Sequence, residues 1–198
     1  MAASTTHPRT DQLADWAVIV TLAAALVLGT AVMALAQGQR STYSSPEAGL
    51  TVQYPQDWLL RPAEGLIFQA VAPESGGFKT TYQVRTLPVA ATDATTATLS
   101  LALNNLALTR GQRETTFRLL ETNEAAPVHE VPAAEATFVY VAKPADLFAQ
   151  RLPAVIRGLD LALAHGDRAY VFTLLAEDDA YETAEARFRR FVESAAIR

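Results

Sequence analysis

The sequence predicts an α+β domain, an antiparallel β-sheet covered by helices, preceded by one transmembrane helix. Three observations predict it. Residues 16–36 are 21 residues without a charge. Downstream, short β-rich or alternating runs recur between Pro and Gly signals. Two further segments follow the helical period, one among the strands and one at the C-terminus. Strands interrupted by one helix and closed by another give an antiparallel sheet whose apolar faces need covering.

Residues 1–15 form an N-terminal tail, and residues 16–36 the apolar span. At 1.5 Å per residue the span reaches about 30 Å, the thickness of the hydrocarbon core. Trp16 stands at one end, where an indole sits well among headgroups. Ala34-Leu35-Ala36 also fits a signal-peptide cleavage site, so a cleaved signal segment competes with an uncleaved anchor. The run is longer than an ordinary signal core, and Asp11 and Asp15 offset Arg9, which favours the anchor. A short tail before a large domain places that domain on the extracytoplasmic side. Thr21, Ala25 and Gly29 recur every four residues and offer a small-residue face for helix packing.

Residues 37–42 are a polar linker, and residues 43–198 the folded domain. Leu50 to Tyr54 alternates apolar and polar until Pro55. Leu66 to Val71 and Thr80 to Leu87 read as a hairpin around Pro73, Gly76 and Gly77. Thr95 to Arg110 carries Leu99, Leu103 and Leu106 on one face, with Gly111 as the expected stop. Thr116 to Leu120 and Thr137 to Ala142 are further strands. Ile156 to Ala164 and Arg168 to Leu175 flank His165-Gly166, the clearest hairpin signal. The last helix opens at Asp179, expected to cap it with Glu182 three residues on. Tyr181, Ala184, Phe188, Phe191, Val192 and Ala195 then keep the helical period. Asn104-Asn105 marks the expected solvent face of the earlier helix.

Composition narrows the function. Of 198 residues 50% are hydrophobic, only 19% are charged and the net charge is −5, which excludes disorder and disfavours a nucleic-acid surface. With no cysteine there is no disulfide, thiolate metal site or Cys nucleophile. The 14 arginines against 2 lysines and the 38 alanines read as genomic bias. His129-Glu130, between Pro127 and Pro132, reads as a loop pair and is a weak metal signal without a third ligand. No HExxH, Gly-x-Ser-x-Gly, SxxK or phosphate-loop motif occurs. Glu177-Asp178-Asp179 is explained by the helix start that follows it. The expectation is therefore no enzyme, no metal and no cofactor.

The run Tyr43-Ser44-Ser45-Pro46-Glu47-Ala48-Gly49-Leu50-Thr51-Val52-Gln53-Tyr54-Pro55-Gln56-Asp57-Trp58 resembles the opening of PsbP-like domains: an aromatic, a turn with Gly, an alternating strand, then Tyr-Pro-x-x-Trp. Gly166-Asp167-Arg168-Ala169-Tyr170 resembles the family's late Gly-x-x-x-Tyr strand, and Phe188-x-x-Phe191-x-x-Ser194 its closing helix. The resemblance covers about 155 residues. It implies an α/β/α sandwich and a non-enzymatic role, because the family consists mainly of extrinsic or assembly factors of membrane complexes. The lipid anchor of some bacterial relatives needs a Cys, so here the apolar helix would be the anchor. The oxygen-evolving branch of the family is not singled out by any residue.

The expected function is a non-catalytic accessory or assembly subunit of a membrane complex. Its partners would be the bilayer and other subunits, with Trp58, His129 and Glu130 as candidate contacts. The alternative is a membrane-tethered module that binds a small molecule or lipid in a groove between helix and sheet.

Overall fold

The computed structural model describes residues 16, 18–29, 39–73, 77–89, 95–142 and 153–198. It separates residues 1–40 from residues 41–198 as two compact units. In the first unit the described residues Trp16 and 18–29 are helical (α1). Among the described residues no helix is long and apolar enough to cross a membrane. The rest of the expected 16–36 span lies outside the described residues.

From Arg40 onward the described residues form ten strands and two helices. A three-stranded sheet joins β1 (Arg40–Ser45), β2 (Leu50–Pro55) and β10 (Ala196–Ile197). The large sheet has seven strands in the order β3 (Leu59–Leu60), β4 (Phe68–Val71), β5 (Thr81–Pro88), β9 (Arg168–Glu177), β8 (Ala154–His165), β7 (Val131–Ala142) and β6 (Arg118–Val128). Every pairing in it is antiparallel, as the hairpin signals implied. Helix α2 (Thr96–Arg113) covers one face, and α3 (Tyr181–Glu193) with the small sheet covers the other.

The two faces follow from the period-2 alternation of the strands. Toward α3 point Tyr82, Val84, Leu159, Leu161, Phe172 and Leu174, which meet Phe188 and Phe191 from the helix and Val52 and Tyr54 from the small sheet. Toward α2 point Ala134, Ala136, Ala162, Ala164 and Ala169, a floor of single methyl groups under Leu99, Leu103 and Leu106. Small side chains let the helix come close to the sheet, so these alanines have a packing use beyond compositional bias.

Gly49 shows how the ends close. It sits at φ 62, where side chains are disfavoured, and a Cβ there would collide with the Arg198 carbonyl. Its own carbonyl accepts from the Arg198 N–H at 2.9 Å. Tyr170 reaches the same turn, its hydroxyl donating to the Ala48 carbonyl at 2.6 Å. The Gln53 N–H donates to the Ser194 hydroxyl at 3.0 Å, so all three segments that carried the family resemblance are in contact.

Several boundaries differ from the sequence reading. The polar stretch after residue 37 becomes strand from Arg40, because β2 supplies a partner for its backbone. Helix α2 runs through Gly111 to Arg113, ending at Glu114, whose N–H meets the Arg110 carbonyl at 2.8 Å. Gly111 keeps a negative φ and does not act as a left-handed stop. Strands β6 and β7 extend across residues expected to be loop. Pro127 falls in a register shift of β6, and Pro132 precedes the first β7 residue paired with β8, so neither removes a ladder bond. Asp179 does not cap α3: the cap position is Ala180, without a side-chain bond. Strand β9 continues to Glu177, and the chain turns into the helix by backbone bonds alone, Ala180 N–H to the Glu177 carbonyl at 3.0 Å.

Candidate interaction site

The residues expected to meet a partner fall in different settings. Trp58 is 9% exposed and lies on Tyr82 with ring centroids 4.4 Å apart, so its indole belongs to the core under α3. The bulk that made it conspicuous is spent on packing. His129 and Glu130 are the two central residues of the β6–β7 hairpin, at φ 50 and 65. Both values are those of a type I′ turn, normally Asn-Gly, which is why the sequence read as loop here. His129 Nε2 lies 2.9 Å from the Glu193 carbonyl at the end of α3, so the ring ties the hairpin to that helix. Glu130 is exposed. Thr21, Ala25 and Gly29 all lie in α1 with their surfaces exposed. No group of three or more His, Asp or Glu suited to a metal occurs among the described residues.

The sequence reading missed a polar centre on the α2 face. Asp160, 1% exposed in β8, receives both terminal nitrogens of Arg110 from the end of α2, one of them at 3.0 Å. Thr173 of β9 completes it. Its hydroxyl donates to Asp160 Oδ1 at 2.6 Å and accepts from Arg110 Nη2 at 3.2 Å. The guanidinium also stacks 4.4 Å above the Phe138 ring. That ring has room because residue 158 on the neighbouring strand is Gly; a Cβ there would run into it. A buried carboxylate demands such a full set of donors. One sequence signal was available: the apolar run Ile156 to Ala164 carries two charges, Arg157 and Asp160, which alternation sends to opposite faces of the strand, so a carboxylate buried there needs a partner from elsewhere.

Arg85 of β5 stands on the same face. Burial lowers its pKa, and the neighbouring Arg110 and Arg113 lower it further, while Asp160 opposes them. Its Nε is enclosed without a hydrogen-bond partner among the described residues. Asn104, expected on the solvent side of α2, instead accepts from the Thr122 hydroxyl at 3.0 Å and pins the helix to β6.

No family model matches the sequence, and no curated protein matches it. Solved structures do. The solution structure of cyanobacterial PsbP (CyanoP) from Synechocystis matches with TM-score 0.59 at 12% identity, over 80% of this chain and 92% of that one. The chain has a PsbP-like fold. LpqN of Mycobacterium tuberculosis, described as involved in cell envelope biogenesis, matches with TM-score 0.51 at 17% identity, over 80% of this chain and 90% of that one. The Ran-binding protein Mog1p of Saccharomyces cerevisiae matches with TM-score 0.50 at 9% identity, over 80% and 95%. At these identities the likeness concerns the fold.

Proposed function

We propose that the chain is a non-catalytic accessory or assembly subunit of a membrane protein complex. Its apolar N-terminal segment holds it at the cell membrane, with residues 43–198 on the extracytoplasmic side. One observation carries the reading: in α1 large apolar side chains are exposed, from Ile19 at 56% to Leu26 at 69%, with Trp16, Val20 and Leu22 between. Keeping such a surface in water costs about 25 cal/mol per Å². Lipid tails or a partner helix remove that cost, and residues 16–36 are uncharged throughout.

The fold supports the non-catalytic half of the reading, since the same architecture serves Mog1p as a Ran-binding protein. Tethering raises the effective concentration of the domain at any membrane partner. The net charge of −5 favours a basic patch on that partner. Glu130, exposed at the tip of its hairpin, is the best placed of the expected contact residues.

The test is extraction and native-size analysis of the full chain. Retention in membranes washed with alkaline carbonate, followed by migration with stoichiometric companions in mild detergent, is the expected result. Release by carbonate removes the anchor, and a lone 21.3 kDa species removes the stable-subunit role. The second reading, a membrane-tethered ligand-binding module, is favoured by the surroundings of Arg85.

A further inference from the structure

Cross-strand register places Gln69, Gln83, Thr173 and Asp160 side by side across β4, β5, β9 and β8. This polar row crosses the face that α2 occupies, yet α2 packs chiefly on β6, β7 and β8. The row's β4–β5 end therefore lies beside the helix, and Gln69 and Gln83 there are half-buried. Arg85 follows Gln83 by two positions, so it shares that face. Its Nε has no acceptor among the described residues, an expensive state for an enclosed cationic donor. Arg110 and the exposed Arg113, both in the last turn of α2, are close enough to act on it electrostatically. Among the described residues Asp160 is the only carboxylate acting on Arg85, and its oxygens are already held by Arg110 and Thr173. Two further guanidiniums thus act on Arg85 against one carboxylate that is already engaged, in a chain whose net charge is −5.

We propose that Arg85 and Arg113, with Gln83 beside them, bind a phosphate group carried by a small molecule or a lipid headgroup. A guanidinium offers parallel N–H donors that match phosphate oxygens, and a partly buried setting strengthens each bond. Arg110 is committed to Asp160 and contributes charge without giving up that pair. The side-chain amide of Gln83 adds a neutral donor. The site gives the ligand-binding alternative its ligand class and does not depend on the assembly role, so failure to find companion subunits leaves it standing.

The test is titration of the full chain with inorganic phosphate against chloride at matched ionic strength. Thermal midpoint and ³¹P linewidth are the readouts. The expected result is a phosphate-specific rise in midpoint and ³¹P broadening, both lost in Arg85→Gln and weakened at least tenfold in Arg113→Gln. Short-chain phosphatidic acid is the second arm. Binding ten or more times tighter than inorganic phosphate assigns the site to a headgroup, and equal binding to a soluble phosphate compound. No broadening beyond the chloride control overturns the proposal, as does broadening that survives in Arg85→Gln. Should Arg85→Gln not fold, Arg113→Gln decides alone, since that residue is exposed at a helix end; unchanged phosphate affinity in it overturns the site.

Discussion

Against α3 the large sheet presents Tyr82 and Phe172, and the helix answers with Phe188 and Phe191; against α2 it presents alanines and one buried ion pair. The first face is held by ring contacts. Phe191 alone meets Phe68, Tyr82, Phe172 and Phe188 at centroid distances of 4.9 to 6.0 Å. The second is thinner, and its charged centre depends on one carboxylate and one guanidinium staying together. Apolar burial tolerates small movements, whereas a buried pair fails when either partner leaves. A sheet with one aromatic face and one face built around a buried ion pair can keep its fold on the first and place binding chemistry on the second.

The largest effect should come from the aromatic face. Phe191→Ala is expected to cost about 4–5 kcal/mol, near the top of the range for a truncated buried Phe, measured by urea unfolding of the full chain. A loss below about 2 kcal/mol would show that the aromatic face is loosely packed and the contrast overstated.

Asp160→Ala comes next, at about 3–4 kcal/mol, because it strands Arg110 beneath the helix. Pairing it with Arg110→Met should recover most of that loss, since two apolar groups leave no charge unpaired. A double variant as unstable as the single one would mean that Asp160 works through Thr173 instead.

The pH dependence sharpens the comparison further. Burial, with a smaller push from Glu185, raises the Tyr181 phenol to about 12, against the partial opposition of Arg157 and Arg189. Burial likewise raises Tyr82, while Arg187 and Arg190 pull it back in part. The folded chain therefore keeps protons that the unfolded chain releases above its ordinary value of about 10. Stability contributed by these groups is complete below that pH and is lost as pH rises through the folded values. Denaturant midpoints should fall between pH 10 and 12, and Tyr181→Phe should flatten the fall while leaving the pH 8 midpoint almost unchanged. An identical slope in the variant would place the alkaline loss elsewhere.

The smallest effect separates the two helix starts. Thr95 accepts the Thr98 N–H at 3.3 Å, so Thr95→Ala should cost about 1 kcal/mol. Asp179→Ala should be nearly neutral, because α3 begins without a side-chain cap. The reverse order of the two losses would show that Asp179 acts on α3 in solution.

Much of the fold was legible because it rests on local periodicity. The hairpin expected at His165-Gly166, whose turn falls one residue later at Gly166-Asp167, the Leu99–Leu103–Leu106 stripe and the Phe188–Phe191 pair could be read along the chain, since a strand or helix writes its buried face at fixed spacing. The His129-Glu130 turn was hidden: its positive φ values are imposed by the pairing of β6 with β7 and by the bond to the Glu193 carbonyl, not by Asn or Gly. Trp58 was visible as a large side chain, but its direction was not.

By itself the sequence determined the α+β class, the antiparallel hairpins, the two helices of the domain and the uncharged run at residues 16–36. Each of these depends on neighbours in the chain. Tertiary structure decided what no spacing encodes: that Gly49 receives the carbonyl of Arg198, that Asn104 faces Thr122, and that Gln69, Gln83, Thr173 and Asp160 line up in one row. The physical reason is separation. Asp160 and Arg110 lie 50 residues apart, and only the packing of α2 on the sheet brings their charges into contact.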